Sequence, residues 1–410
     1  MYTSSAPRVS VIIPTYNQCQ LLDRVLLRLT RQTMPAGTFE VVVSDDGSAD
    51  ATKAVVDSYT DRLRISYTYQ EDLGYRVAAA RNAAARQAAG EIFVFLDSDA
   101  LACPDFVARH VEAHAGPNVR AVAGYVYGYD SRGGNLGLIE ALASASPEDV
   151  VARLGGQDGV RDRRYDFVAE HGFDLNRCPL PWVCLWTSNC SVRSADFWAV
   201  GGFDEDFEGW GLEDTEFGFR IHQKGIPFYF SQQAWVVHVP RERNLPEQLS
   251  QLTVNAERFL RKHPEPVIEL DWALITRKTP WLWRPECAAL REAEGQAPAD
   301  VADEIATALA DCTAGERIAI FGAGARLPDG AAPAYLIDYD KELLDSALCA
   351  ATAPTAGHHA IGLRTPLDDQ CVGTVVITSR LGPLWKQWGT DIIAEAQRVG
   401  RTVRVTMTAA

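Results

Sequence analysis

The first 125 residues switch repeatedly between two hydrophobic patterns. Short continuous apolar runs, VSVIIP (9 to 14), FEVVVSDD (39 to 46), RISYTYQ (64 to 70) and EIFVFLD (91 to 97), are rich in β-branched and aromatic residues. QLLDRVLLRLTRQ, between the first two, and the alanine-rich VAAARNAAARQAAG, between the last two, read as helices. Runs that are continuous rather than alternating belong to strands buried on both faces, so strands alternating with helices predict a parallel sheet with helices on each side. Ligands of such sheets bind outside the carboxyl ends of the strands. Asp45, Asp46, Asp97 and Asp99 all fall there.

Further on the pattern loosens. Residues 126 to 180 are glycine-rich and charged and read as long loops with a helical piece. Structure resumes at WVCLWTSNCSVR, and a helix is expected across LEDTEFGFRIHQK, ended by Gly225. The strand AWVVHV follows, then mainly helical sequence to about 300, with AEGQAPAD (293 to 300) as a linker. A second strand and helix pattern opens at ERIAIFGAGA. The expected organisation is an α/β domain over 1–245, a helical extension over 246–298 and a small Rossmann-like α/β module over 299–410.

Composition narrows the function classes. A formal charge of -15 argues against nucleic acid as a partner, because phosphate backbones are met by basic surfaces. An anionic ligand must therefore be handled locally, by a metal, a few arginines or helix N-termini. Nine cysteines without a CxxC pair read as reduced thiols rather than a disulfide framework or zinc site. No apolar run reaches the roughly 18 residues of a membrane span, and the N-terminus lacks the parts of a secretory signal. A cytoplasmic protein is the expectation.

Residues two apart in an extended chain point the same way, so Asp97 and Asp99 can face one ligand. Two carboxylates suit a hard divalent cation such as Mg²⁺ or Mn²⁺ that takes further ligands from substrate phosphates. A bare pair of this kind equally serves to cap the following helix. What adds weight is order: VSVIIPTYN, VVVSDDGSADAT, LGYRVAAARNAA, FVFLDSDA and GWGLEDTEFGFRI, in that sequence, resemble glycosyltransferase family 2, whose catalytic domain has the GT-A fold. The glycine and tryptophan before the acidic helix are closest to the subgroup with bacterial chondroitin polymerases and animal galactosyltransferases. The resemblance covers about residues 8 to 245.

The resemblance implies a site and a metal-dependent inverting transfer from a nucleotide sugar, with a UDP-sugar as donor and a saccharide or other hydroxyl-bearing acceptor. Pro14 and Tyr16 would line the nucleotide pocket, and Asp46 would accept from the uracil N3–H; DDGS is also a strong turn sequence, and both readings can hold. Arg76 and Arg81 fall where the family meets the nucleotide and diphosphate, although an arginine on an alanine-rich helix can be a solvated charge. Asp99 is implied as a metal ligand, with His238 completing the shell, and Asp97 as a donor-positioning group. A histidine at a strand end can equally be structural. Asp214 is implied as the catalytic base and Glu213 as an acceptor-orienting group, with Trp210 and Gly211 on the acceptor side. Acids in a first helical turn are also favoured by the helix dipole alone. Asn189, in WTSNCSVR, is implied beneath the donor sugar.

RIAIFGAGARLPDG followed by AYLIDYDKELLDSAL resembles the opening of a class I S-adenosylmethionine-dependent methyltransferase, with Asp338 at the second strand end. Only Gly322 and Gly324 remain of the close glycines, with Arg326 where a third would help. A reduced module for packing, homo-oligomerisation or acceptor presentation is expected. Two other functions stand beside the transferase: a catalytically silent sugar-nucleotide scaffold, and a bifunctional transferase and methyltransferase.

Overall fold

A computed structural model describes residues 7–115, 120–129, 136–241, 244–277, 283–310, 312–313 and 315–407. The chain divides into two compact units, Met1–Asn255 and Ala256–Ala410.

The first unit is built on an eight-stranded sheet of β1 (Val9–Thr15), β2 (Phe39–Asp45), β3 (Ile65–Tyr69), β4 (Ile92–Leu96), β5 (Ala100–Ala102), β6 (Ala121–Tyr127), β7 (Asn189–Arg193) and β8 (Phe228–His238), in the order β3-β2-β1-β4-β7-β6-β8-β5. The four predicted runs form its parallel half, β3-β2-β1-β4. Every residue of β1, β2 and β4 is buried, which accounts for their continuous apolar sequence. Beyond β4 the sheet is mixed: β7 runs antiparallel to β4 and β6, and β5 antiparallel to β8, while β6 and β8 are parallel.

The helix Cys19–Leu29 buries Leu22, Val25, Leu26 and Leu29 on one stripe. The helix Val77–Gln87 packs on β1 and β2 through Ala80 and Ala84, whose small side chains let it lie close to the sheet. The chain passes from β1 to β2 and β3 on one side and returns to β4 on the other. The crevice outside β1 and β4 is thus a topological switch point.

The stretch expected as long loops holds more helix than its glycines imply: Leu136–Ser144, Pro147–Leu154 and Tyr165–Ala169. Ser146 caps the middle helix by accepting from Asp149 N–H, with Pro147 in the first turn. A fully buried pair anchors the segment. The Asp162 carboxylate accepts from Val126 N–H at 2.7 Å and from Arg164, whose guanidinium also donates to the Cys184 and Gly124 carbonyls. Residues 130–135 of the glycine-rich run lie outside the described residues.

The second unit carries a five-stranded, wholly parallel sheet of β9 (Ile318–Phe321), β10 (Tyr335–Asp338), β11 (Ala356–His359), β12 (Val372–Ile377) and β13 (Gly400–Val405), in the order β11-β10-β9-β12-β13. Phe321, Ile337, Ile377 and Trp388 are central in its core. Part of the expected linker is helical here, because the helix Trp283–Gln296 continues through it and buries Ala293 in that core.

Candidate active site

A cleft of about 230 Å³ opens at the carboxyl ends of β1, β2 and β4 and is lined by Pro14, Tyr16, Asp46, Arg81, Asp97 and Asp99 among others. At one end Asp45 and Asp46 divide the two roles their sequence allowed. Asp45 holds the turn, accepting from Ser48 N–H and the Tyr67 hydroxyl, both at 2.7 Å. Asp46 faces the cleft and accepts from Arg76 N–H at 2.7 Å and from the Gln70 amide. Burial raises its carboxyl pKa, and these hydrogen bonds oppose the rise. The Arg76 guanidinium turns to the Glu71 carbonyl and lies 3.9 Å from Asp46. Tyr16 donates its hydroxyl to Asp72 at 2.9 Å.

At the other end one arginine joins two motifs that are 116 residues apart in sequence. Arg81, on the helix Val77–Gln87, donates from Nη1 to Glu213 at 2.9 Å and from Nη2 to Asp97 at 3.0 Å. Its side chain is 3% exposed. Burial works against its charge, but Asp97 and Glu213 more than offset that and hold it protonated. Arg81 is therefore committed to two carboxylates rather than open to a diphosphate.

Glu213 and Asp214 begin the helix Glu213–Gln223. The approach to it runs through left-handed backbone, which Gly209 (φ +78°) and Gly211 (+95°) adopt freely and which is strained only at Leu212 (+71°). Trp210 N–H donates to Gln251 at 2.8 Å, and the Gly211 carbonyl accepts from Asn255 at 2.9 Å. Gly209 N–H donates to the Tyr75 carbonyl, tying this turn to the cleft wall. Partial burial pushes the carboxyl of the half-buried Asp214 above the ordinary range, and the neighbouring Glu213 charge pushes it further. The Asp214 carboxylate accepts from Thr215 N–H at 2.8 Å.

Strand register, rather than sequence proximity, brings His238 to Asp99. Ala100 in β5 pairs with His238 in β8, and Val239 N–H donates to the Asp99 carbonyl at 2.8 Å. His238 Nε2 thereby lies 3.4 Å from Asp99 Oδ2, both side chains 3% exposed. Among the described residues no three His, Cys, Asp or Glu side chains gather as a metal cluster. The Asp99 carboxylate on the cleft wall and the imidazole 3.4 Å from it nevertheless fit a cation whose remaining ligands come from substrate phosphates and water.

Asn189 departs from its expected place beneath a donor sugar. It is fully buried, its amide donates to the Tyr125 and Ala234 carbonyls at 3.0 and 2.7 Å, and its oxygen meets His110 Nε2 at 2.9 Å. Its side chain lies over Gly124, where a Cβ would meet it at 2.2 Å. The residue ties β7 to β6 and β8 and has nothing left for a ligand. Reading the sequence missed Asp72, Tyr75 and Arg241, which also line the cleft. Arg241 carried a usable signal, three residues after His238 in HVPR.

In the second unit Asp338 is fully buried, and its carboxylate is engaged by Arg380 Nε at 3.0 and 2.8 Å and by Gly324 N–H at 2.9 Å. Arg380 is itself fully buried. The acid expected to meet a ribose is held by the protein's own guanidinium.

Among the described residues no helix is long and apolar enough to cross a membrane. A family model described as glycosyl transferase family 2 matches residues 10–162, and one described as the N-terminal domain of galactosyltransferase matches 169–239. The chain is 43% identical to validoxylamine A glucosyltransferase of Streptomyces hygroscopicus subsp. jinggangensis, over 98% of this chain and 97% of that one. It is 28% identical to chondroitin synthase of Escherichia coli, over 62% of this chain and 38% of that one. Among solved structures, the mannosyltransferase PcManGT from Pyrobaculum calidifontis aligns with a TM-score of 0.46 at 24% identity, covering 75% of this chain and 81% of that one. With 43% identity to a glucosyltransferase over nearly the full length of both chains and a family match across the acidic cleft, the chain belongs to glycosyltransferase family 2 and is a sugar-transferring enzyme of GT-A fold.

Proposed function

We propose that the protein moves a glucosyl residue from a UDP-sugar to an acceptor hydroxyl with inversion, with a divalent cation, Mn²⁺ or Mg²⁺, at Asp99 and His238. The observation that carries this reading is the Arg81 bridge. It links Asp97, on the donor side of this reading, to Glu213, on its acceptor side, and so supports treating the two acidic motifs as parts of one site. Kinship to validoxylamine A glucosyltransferase supports the glucosyl group and makes validoxylamine A the first acceptor to test.

Asp46, with Gln70 and Arg76 behind it, receives the base beside Pro14 and Tyr16. Asp97, fixed by Arg81, positions the donor. When bound, the cation neutralises charge on the departing diphosphate. Asp214 takes the acceptor proton, and the desolvation that raises its pKa makes it a stronger base than an exposed carboxylate. Glu213 is braced by Arg81 at the head of the same helix, beside Trp210 and Gly211 on the acceptor side.

We read the 299–410 module as non-catalytic, since Arg380 occupies the acid a ribose would need. The deciding assay is UDP release from UDP-glucose with Mn²⁺ and validoxylamine A, for the wild type against Asp214→Asn. Turnover lost in the variant with UDP binding kept supports the transferase. UDP-sugar binding by the wild type without turnover on any acceptor supports a scaffold instead.

A further inference from the structure

Arg241 follows β8 by three residues and reaches into the donor cleft. Its Nε forms an ion pair with Asp99 Oδ2 at 2.9 Å, the oxygen that also lies 3.4 Å from His238 Nε2. The partners differ sharply in exposure: Asp99 is 3% exposed and Arg241 is 41% exposed. The carboxylate is fixed in the wall, whereas the guanidinium stands on a long side chain at the rim and can leave without dragging buried structure with it.

The described residues lining the cleft include two cations, Arg81 and Arg241. Arg81 is buried between Glu213 and Asp97. That leaves Arg241 as the lining cation able to move. A guanidinium and a divalent cation repel each other across one carboxylate oxygen. A guanidinium displaced from Asp99 finds a better partner in a diphosphate, whose oxygens match its fork of donors.

We propose that Arg241 is the counter-ion of Asp99 in the empty enzyme and exchanges that contact for the donor diphosphate when nucleotide and divalent cation bind. It thereby becomes a phosphate ligand of the loaded site. The exchange rests on the reading that Asp99 and His238 hold the cation. It predicts that one substitution moves two affinities in opposite directions, which loss of a merely structural side chain does not do.

The test uses the full-length protein and two titrations on Arg241→Gln and Arg241→Lys. Mn²⁺ binding without nucleotide is followed by electron paramagnetic resonance, with Asp99→Asn as the control for site identity. UDP binding at saturating Mn²⁺ is followed by calorimetry. In Arg241→Gln, Mn²⁺ affinity should tighten about two- to fivefold, the scale of a half-exposed ion pair. UDP affinity should weaken about tenfold, the scale of a charge-assisted hydrogen bond. Arg241→Lys keeps the charge without the fork, so its Mn²⁺ affinity should stay near wild type while UDP binding weakens. Unchanged or weaker Mn²⁺ binding in Arg241→Gln, or unchanged UDP binding, overturns the exchange. A wild type that binds no Mn²⁺, or an Asp99→Asn variant that binds it as well as the wild type, overturns the cation reading beneath it.

Discussion

Replacing Asp214 by asparagine separates stability from activity. The amide keeps the shape of the side chain and its acceptor for Thr215 N–H, and removes only the charge and the basicity. A carboxyl whose folded-state pKa is raised binds its proton more tightly in the native than in the unfolded chain. Its native state is therefore favoured at low pH and loses that advantage as pH climbs from the ordinary carboxylate range through the raised value. Asparagine does not titrate. The variant should match the wild type in stability near pH 4 and exceed it by about 1–3 kcal/mol at pH 8, at roughly 1.4 kcal/mol per pKa unit of elevation. Desolvation is the first cause and Glu213 repulsion the second, so the gain should survive high salt, which screens mainly exposed charges. As the loss of a general base, the change should lower kcat by roughly 10²- to 10⁴-fold. Urea midpoints of both proteins at the two pH values, with initial rates at pH 8, measure both effects. An asparagine variant less stable than the wild type at pH 8, or equally stable at both pH values, refutes the desolvated-carboxylate account.

Four further outcomes follow from the same geometry. Glu213→Gln keeps an acceptor for Arg81 but removes the like charge beside Asp214, so the acid limb of the pH profile of kcat/KM should move to lower pH; a limb that stays or rises contradicts this. Gly211→Ala places a side chain at φ +95° with its Cβ 2.9 Å from Leu252 Cδ1, and should cost about 1–3 kcal/mol by urea denaturation while depressing turnover through the Asp214 helix start. Arg380→Met leaves Asp338 buried without its cation, and should destabilise the second unit by about 3–5 kcal/mol in its own denaturation step. The wild type should give no calorimetric signal with S-adenosylmethionine, and a stoichiometric isotherm would show that the Asp338–Arg380 pair opens.

Legibility varied with the range of the interactions. The runs at β1, β2 and β4 were readable because burial on both faces imposes a local signature, continuous β-branched and aromatic residues, that needs no partner to recognise, whereas β3, a half-exposed edge strand, was readable from its β-branched and aromatic residues alone. Gly225 as a helix stop was equally local. The helices between 136 and 169 were harder, because their glycines and charges mask an anchor, Asp162 with Arg164, whose partners Gly124 and Cys184 lie far away in sequence.

The acids of the cleft could be named from sequence because their spacing and their places after apolar strands are properties of the chain itself. What each does depended on tertiary contacts. The turn at DDGS divides its labour between Asp45 and Asp46 only once Tyr67, Gln70 and Arg76 are in place. Asn189 is drawn out of the site by carbonyls on two neighbouring strands. Arg81 turns from a phosphate candidate into a brace because Glu213 arrives from 132 residues away. The sequence by itself determined the parallel half of the first sheet, the edge where ligands bind and the acids gathered there, since hydrophobic periodicity and strand ends are local. Tertiary structure alone decided which acid is buried, paired or open. Charge partners and desolvation, which set a carboxylate's chemistry, come from strand register and from segments that meet only after folding.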